Sequence, residues 1–559
     1  MMDIVYKSLQ KPFSCHSLLQ QSLVALLSGG LLSLSYLNSD FYVFAWFAFV
    51  PLLMVIERTG LQRTYWLGMF FGIGFYTSAA YWVVDFLMLS KGYGVATSIL
   101  WAIIFWLYCS QLPALVALIF NLLKRRASVH EFLLFPLVVV TLYSLFPMLF
   151  SVQLGESQSR FLSAIQATEF FGVYGLDAMI ALSNIVIFRL VLPLPKVSPT
   201  QIKQSNMAYL LSAYFLSALV FTLWFVYGVY ANWNWEEKIE HWGTVRIGIV
   251  QPNEAPSLEY LKVYPGYSRA YPPEMEMTKR LVSAGAKLTV WPEARYKAYY
   301  DQPHVRAAYK DVLSKLNSHL LFQDIERVQE SNQEHSYRQF NVAGMINSKG
   351  ELIGHYQKIK RVAFGEYVPL VSDFPSVRGI VEGFFGKFLN EMDKGSSYQS
   401  FKADDLRIIP LICYETMFPE FVAGAVKKAV LDSLDSSSAE SNILVGLSSN
   451  GWFGTTVQPY QHVNASVLRA VENRLPLVHA VNNGPSVIVQ PNGKIIFKSD
   501  YHQAGGYLVD IPHSKTNQGS FFSRHPTLFI YSVYGLLLML MLVSLFRGKV
   551  YFFDHNKIP

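Results

Sequence analysis

The sequence predicts a multi-pass α-helical membrane protein that carries one large α/β domain. First, 52% of the 559 residues are hydrophobic and the mean hydropathy is +0.25, which is too apolar for an ordinary soluble enzyme. Second, apolar segments of about 20 residues, the length that spans a bilayer, recur before residue 232 and once more near the end. Third, the polar block between them alternates β-branched runs with helical stretches.

Eight apolar segments predict about eight transmembrane helices. Pro51 and Pro136 interrupt the second and the fifth segments, which weakens the helical pattern there. The segments lie at 17–37, 41–56, 64–88, 95–123, 131–151, 170–194, 207–231 and 525–546. We therefore predict three parts: a bundle of about seven helices over 1–231, a polar domain over 232–524, and a C-terminal helix with a short tail over 525–559.

The positions of the basic residues predict the orientation of this bundle. Eight crossings put both termini on one side, and lysine and arginine collect on the cytoplasmic side. The basic residues at the termini and in alternate loops are Lys7, Lys11, Arg58, Arg63, Lys124, Arg125, Arg126, Lys196, Lys203, Arg547 and Lys549. The opposite short loops hold little more than Lys91 and Arg160. We expect cytoplasmic termini and a translocated polar block, so the net charge of +7 reflects topology and gives no support for a nucleic-acid partner.

The polar block has the pattern of a single α/β domain. The predicted strands are 244–251, 287–293, 406–415, 441–450, 475–484 and 485–497, and helical stretches fit at 274–285 and 459–474. In α/β sheets, reactive groups collect at the carboxyl ends of strands. Glu293 closes the strand VWPE and Cys413 closes the strand that runs into CYE, so both residues are candidates.

Cys413 is the only one of the three cysteines that lies in the polar block, which leaves no disulfide partner there. A buried cysteine is usually a small hydrophobic residue. A nucleophile is the alternative, and it needs a base and a cation nearby.

Two further elements supply what an activated thiol needs. The stretch HYQKIKRVAFGEYVP contains Lys358 and Glu366. A nearby lysine cation favours the thiolate of Cys413, whose ordinary pKa is about 8.5, and Glu293 can take the thiol proton. Lys358 with a backbone N–H after the cysteine can then stabilise the oxyanion that forms on an acyl carbon. Each residue alone is more often an ordinary surface or core residue, but together they form a catalytic constellation.

The motifs WPE, YxK, FGEYVP, CYE and WFG, followed by RAxENR at 469–474, resemble the carbon–nitrogen hydrolase (nitrilase) superfamily. With the apolar segments around them, they resemble more closely its integral membrane branch, the apolipoprotein N-acyltransferases of bacterial inner membranes. The resemblance implies an αββα sandwich and a catalytic triad of Glu293, Lys358 and Cys413. It also implies supporting roles for Glu366, Tyr414 and Glu415, and a place in lipid recognition for Tyr260. The apolar turn GWFG predicts lipid contacts at Trp452 and Phe453, with packing in the domain core as the alternative.

The same resemblance implies an activity and its partners. The reaction is transfer of a fatty acyl chain from a phospholipid to the N-terminal amine of a diacylglyceryl-cysteine on an apolipoprotein, through a cysteine thioester. It needs no cofactor and no metal. The expected location is the bacterial inner membrane, with the catalytic domain in the periplasm.

Several positions depart from the family pattern. Ala294 and Arg295 follow WPE where a Thr, Ser or Asn-Ala pair is expected, and Arg361 and Ala363 stand in the lysine loop. SNGWFG stands where NDAWFG is usual, and Tyr260 stands where tryptophan is common. None of these changes removes a triad residue. Two alternatives remain open: a membrane-tethered amidase of a small substrate, and a catalytically inactive membrane scaffold.

Overall fold

The computed structural model of the chain describes residues 17–126, 129–192, 204–256, 263–293, 302–329, 337–363, 365–368, 371, 374, 376–380, 392–434 and 440–551. Side chains are not described at 204–210, 434 and 544–551. Tyr260, Ala294, Arg295 and the apolar stretch VEGFFGKFL at 381–389 lie outside the described residues.

The described residues before the first strand fold into helices. The α-helices are α1 (Leu18–Leu37), α2 (Val50–Ile56), α3 (Leu61–Ala79), α4 (Val83–Lys91), α5 (Val95–Cys109), α6 (Gln111–Arg126), α7 (Glu131–Leu145), α8 (Leu162–Ile165), α9 (Thr168–Phe171), α10 (Val173–Val191) and α11 (Gln204–Glu240). Short 3₁₀ helices lie at Ser39–Trp46 and Leu154–Gln158. The predicted helical character of this part is confirmed.

Several of these helices are long and apolar enough to cross a membrane. Within the described residues, five helical stretches meet that test, and a sixth does so if α3 and α4, which bend by 57° at their junction, form one span. Two shorter apolar helices lie at Glu131–Leu145 and Leu528–Val543. Pro136 lies inside the first of them. The count of eight crossings stays a prediction.

Twelve strands of the described residues form the second part. They are β1 (Gly243–Gln251), β2 (Leu288–Val290), β3 (His319–Gln329), β4 (Tyr337–Ile346), β5 (Leu352–Gln357), β6 (Phe401–Ala403), β7 (Leu406–Ile412), β8 (Ser441–Ser448), β9 (Leu477–Val481), β10 (Val487–Val489), β11 (Ile495–Lys498) and β12 (Gly505–His513). They make two sheets, in the orders β12-β1-β2-β3-β4-β5 and β11-β10-β9-β8-β7-β6.

The two sheets repeat one topology. Each has three central parallel strands, β1-β2-β3 in one and β7-β8-β9 in the other. An antiparallel strand flanks the first of the three, and two antiparallel strands extend the other side. The sequence carries no visible repeat, so topology alone reveals this similarity.

Helices cover the outer faces of the paired sheets. The helices α12 (Pro273–Ser283) and α13 (Pro303–Leu316) belong to the half of the domain with the first sheet, and α12 packs on β1, β2 and β12. The helices α14 (Pro419–Leu434) and α15 (Gln458–Asn473) pack on the second sheet, while β4 meets β7 between the sheets. The strand interiors are fully buried, as at β7 and β8, which explains their continuous apolar runs. This α/β sandwich confirms the predicted fold class.

The predicted strands agree with the structure at their centres and differ at their ends. The run 287–293 yields only the three residues of β2, and 485–497 divides into β10 and β11 around a turn. The run 406–415 ends as a strand at Ile412 and continues as a 3₁₀ helix, Cys413–Met417. After β12, α16 (Phe521–Arg524) and α17 (Leu528–Tyr551) return the chain to the apolar part. The helix α11 runs to Glu240, past the residue 231 at which we predict the domain division.

Aromatic and polar contacts join the α/β domain to the apolar helices. Phe453 lies against α4, where its ring stacks on Phe86 with centroids 5.4 Å apart and meets Trp82 edge-on at 5.3 Å. The Tyr414 hydroxyl donates to the carbonyl of Leu149 at 3.1 Å and accepts from the Ser151 N–H at 2.7 Å. The end of β7 is therefore fixed against the loop between α7 and the 3₁₀ helix Leu154–Gln158.

Candidate active site

Cys413 lies at a sharp turn between β7 and the 3₁₀ helix Cys413–Met417. Its φ of +53° is in the left-handed region, which a residue with a side chain adopts at an energetic cost. The side chain is partly exposed, whereas every residue of β7 is buried. The turn therefore takes the thiol out of the core of the sandwich and presents it at the carboxyl end of the strand.

Lys358 follows β5 and is 1% exposed. Its Nζ lies 2.9 Å from Glu366 Oε1 and 3.8 Å from Glu293 Oε1. Glu366 is itself held in place, because its Oε2 accepts the Val362 N–H at 2.9 Å. The structure thus brings the predicted lysine between the predicted base and the predicted supporting carboxylate.

Asn341, on β4, joins the two carboxylates and was not predicted from the sequence. Its Nδ2 donates to Glu293 Oε1 at 2.7 Å and to Glu366 Oε1 at 2.9 Å. Its Oδ1 accepts from Gln323 at 3.0 Å. The sequence feature that could have revealed it is the single amide side chain inside the apolar run FNVAGMI. A buried amide on a strand needs polar partners, which indicates a polar site beside it.

Glu415 ties the nucleophile turn to the lysine loop. The carboxylate is fully buried and accepts the Ile412 N–H at 2.8 Å on one oxygen. Its other oxygen accepts from Tyr356, at 2.6 Å, and from the N–H groups of Ile359 and Lys360, at 2.7 and 3.0 Å. Burial raises the pKa of Glu415, and these hydrogen bonds oppose that shift. The role of Glu415 is therefore to hold the backbone at Ile412 against the backbone at Ile359 and Lys360.

The exposed part of Cys413 faces a cavity inside the protein, so the thiol is still largely removed from solvent. This burial raises the pKa of the thiol well above its usual range, and the negative charge of Glu293 raises it further. Lys358 lowers it, but not enough to offset the other two effects. The effect of Lys358 has the direction that the sequence predicts, but it is smaller than the effects of burial and of Glu293 combined. Burial alone would lower the pKa of Lys358, but Glu366 and Glu293 raise it above its ordinary value, so the lysine stays charged.

This arrangement suits a nucleophile that is deprotonated during attack. A neutral thiol transfers its proton to a nearby carboxylate as it attacks, which is general-base activation. The charged Lys358 is then available to stabilise negative charge on the substrate oxygen in a dry site. Within the described residues, no group of three or more His, Cys, Asp or Glu side chains is placed to hold a metal ion.

Of the residues predicted to contact lipid, Trp452 and Phe453 are described, and both lie where the α/β domain meets the apolar helices. Trp452 packs on the same aromatic cluster as Phe453 and Trp82, so the WFG turn is a contact between the two parts. A contact with lipid at these two residues stays a prediction, and Tyr260 lies outside the described residues.

Arg361, one of the positions that depart from the family pattern, donates to the Met392 carbonyl at 3.0 Å.

Two buried histidines make the stability of this domain depend on pH. Burial lowers the pKa of His462 to about 4 and that of His479 well below its usual value. Unfolded histidine titrates near 6.5, so the unfolded chain binds more protons than the folded chain in the window below that value. The contribution of these groups to stability is therefore present above about pH 6.5 and is lost as the pH falls toward about 4.

We expect the His479→Gln variant to lose less thermal stability between about pH 7 and pH 5 than the unsubstituted protein. The measurement is the unfolding midpoint by circular dichroism at both pH values in the same detergent. His304→Gln, at an exposed position, is the control and should keep the full pH dependence. An undiminished pH dependence in His479→Gln would count against the proposed origin of the effect.

Comparisons with known proteins agree with this division into two parts. Residues 28–186 match the family model of the apolipoprotein N-acyltransferase N-terminal domain, and residues 274–518 match that of the carbon-nitrogen hydrolase. An apolipoprotein N-acyltransferase from Geobacter metallireducens is 29% identical over 493 residues, which cover 85% of this chain and 86% of that protein. One from Rickettsia typhi is 26% identical over 529 residues, covering 91% of this chain and 97% of that protein.

Among solved structures, an amidase of the nitrilase superfamily from Nesterenkonia AN1 is similar to 48% of this chain. The match covers 90% of the amidase, at 17% sequence identity and a TM-score of 0.33.

Proposed function

We propose, from the premise that this chain belongs to the apolipoprotein N-acyltransferase family, that it transfers a fatty acyl chain from a phospholipid to the N-terminal amine of a diacylglyceryl-cysteine. One observation carries the mechanism. Glu293, Lys358 and Glu366 form one connected polar group, and the charges of all three act on the Cys413 thiol, at the junction with the apolar helices.

The first half-reaction forms an acyl-enzyme. The Cys413 sulfur attacks the ester carbonyl of the phospholipid while Glu293 takes the thiol proton. Lys358 and the N–H that follows the cysteine stabilise the oxyanion. The carbon–oxygen ester bond breaks, and Glu293 returns the proton to the leaving alkoxide. The products are a Cys413 thioester and a lysophospholipid.

The second half-reaction forms the amide. The α-amine of the acceptor has a reference pKa near 8, which leaves a useful neutral fraction at neutral pH. Its nitrogen attacks the thioester, Glu293 takes a proton from that nitrogen, and the carbon–sulfur bond breaks. Glu293 then returns the proton to the departing Cys413 thiolate, which restores the resting thiol. Two half-reactions that share one covalent intermediate predict ping-pong kinetics.

The membrane part gives this chemistry its substrates. Each buried CH₂ contributes about 0.8 kcal/mol to membrane anchoring, so neither a phospholipid nor a lipidated protein leaves the bilayer readily. A domain tied to apolar helices at both ends, through α11 and α17, keeps the thiol at the surface of the bilayer. We propose that this is the bacterial inner membrane, with both termini in the cytoplasm and the domain 232–524 in the periplasm.

We expect the purified full-length protein in detergent to transfer an acyl label from phospholipid to a diacylglyceryl-cysteine peptide. The measurement is the mass of the peptide, which should gain one fatty acyl group in amide linkage. Small aliphatic amides are the comparison substrates. Hydrolysis of those amides without any acyl transfer would favour the membrane-tethered amidase, and neither reaction would favour an inactive scaffold.

A further inference from the structure

A cavity of about 70 Å³ lies between the two parts of the molecule, and Cys413 lines it. Tyr36, Trp82 and Glu156 line it from the side of the apolar helices. Gln458 and His462, both on α15, line it from the side of the α/β domain. The mechanism proposed above uses the thiol in this cavity but gives no role to Glu156, Gln458 or Asn450, which also line it.

Glu156 is the charged side chain among these residues. It lies in the 3₁₀ helix Leu154–Gln158 and is 5% exposed. Its Oε2 accepts the Gln153 N–H at 3.3 Å, whereas its buried Oε1 has no hydrogen-bond partner in the described part of the chain. A buried carboxylate oxygen without a hydrogen-bond partner lowers the stability of the folded protein. A ligand that donates a hydrogen bond to this oxygen would remove that cost.

No lysine or arginine among the described residues forms an ion pair with Glu156. The positive charge of Arg469 lowers the pKa of Glu156, but the guanidinium of Arg469 forms its ion pair with Glu472, at 2.7 Å. At the same cavity, Gln458 Oε1 is an acceptor, and Asn450 Nδ2 a donor, for which the described residues provide no partner. Among the described residues, the cavity therefore combines one carboxylate oxygen and one amide oxygen that can each accept a hydrogen bond with one amide N–H that can donate one.

We propose that Glu156 binds the protonated α-amino group of the acyl acceptor in this cavity, beside the Cys413 thioester. The inference rests on the proposed function, which supplies a primary amine as the second substrate. An alkylammonium group fits the site because it offers both positive charge and several N–H donors. The ester carbonyl of a phospholipid offers neither, so the site distinguishes the acceptor from the donor.

Two carboxylates, Glu156 and Glu293, accept the two protons that the nitrogen loses in the amide-forming step. The ammonium group transfers one proton to Glu156 and becomes a neutral amine. Its nitrogen then forms the carbon–nitrogen bond as the carbon–sulfur bond of the thioester breaks, and Cys413 leaves as thiolate. The second proton lost by the nitrogen goes to Glu293, which returns it to the Cys413 thiolate, and Glu156 releases its proton to solvent, so that the thiol and both carboxylates are restored. Burial raises the pKa of Glu156 to about 7, which brings its proton affinity close to that of an α-amine.

The test separates the two half-reactions in the full-length Glu156→Gln variant. Acyl-enzyme formation from phospholipid should be unchanged, whereas the KM for a diacylglyceryl-cysteine peptide should rise about 10- to 100-fold, as expected for the loss of a charged hydrogen bond. Release of the acyl group by hydroxylamine, a neutral nucleophile, should be unchanged. Glu274→Gln, at a buried carboxylate on α12 away from the cavity, is the control and should match the unsubstituted protein.

An unchanged KM for the peptide, or an equal loss in both half-reactions, would overturn the inference. Failure of the proposed function would be distinguishable, because the unsubstituted protein would then form no acyl-enzyme at all. If Glu156→Gln does not fold, the unsubstituted protein decides the question through inhibition by two non-reactive acceptor analogues. A deaminated analogue should inhibit about 10- to 100-fold more weakly than a tertiary-amine analogue, and equal inhibition would contradict the assignment.

Discussion

The Cys413→Ala variant should form no acyl-enzyme and should transfer acyl groups at least about 10⁴-fold more slowly than the unsubstituted protein. The physical reason is that the thiol is the only group in the site proposed to form the covalent intermediate. Alanine removes the sulfur and leaves the surrounding contacts in place, since Glu415 holds the turn through the backbone of Ile412. The measurement is acyl transfer from labelled phospholipid to a diacylglyceryl-cysteine peptide.

Cys109→Ala is the matched control, because Cys109 is a buried cysteine at the end of α5 and does not line the cavity. Its transfer rate should stay close to that of the unsubstituted protein. Full transfer by Cys413→Ala would show that the acyl group never resides on this sulfur.

The Glu293→Gln variant should slow both half-reactions by about 10²- to 10⁴-fold, the range expected for loss of a general base. Glutamine keeps the size of the side chain and can still accept from Asn341, so the site should retain its shape. It cannot take the proton from the neutral Cys413 thiol, which burial keeps protonated. Single-turnover measurements of acylation, and of deacylation by the peptide, report the two steps separately.

Glu351→Gln, an exposed position on the turn between β4 and β5, is the control and should leave both rates unchanged. A variant at Glu293 that acylates at the normal rate would place the base elsewhere. Slowing of the acylation step alone would mean that a different group takes the proton from the amine.

The fold class could be predicted because its signals are local. Apolar length predicts the helices, and β-branched runs ended by polar residues predict β1, β7, β8 and β9. The residues at strand ends were predictable for the same reason, since Glu293 and Cys413 each interrupt an apolar run. Lys358 and Glu366 were candidates only in combination with Cys413, because a lysine in a polar loop carries no signal by itself, and the resemblance then implied their roles.

The remaining features depend on contacts between distant segments. Asn341 connects Glu293 to Glu366 only once β4 lies in the sheet, and Glu156 reaches the cavity only where the two parts meet. The net effect on the pKa of the Cys413 thiol was not predictable for a related reason. Burial and the negative charge of Glu293 outweigh the influence of Lys358, and the balance of these effects depends on depth and distance, which a motif does not specify.

The most direct measurement is mass spectrometry of the purified protein after incubation with phospholipid alone. We expect a fatty acyl mass on the peptide that contains Cys413, and we expect hydroxylamine to remove it and a diacylglyceryl-cysteine peptide to discharge it. A folded protein that acquires no acyl group on Cys413, or holds one that the peptide acceptor does not discharge, would contradict transfer through a thioester.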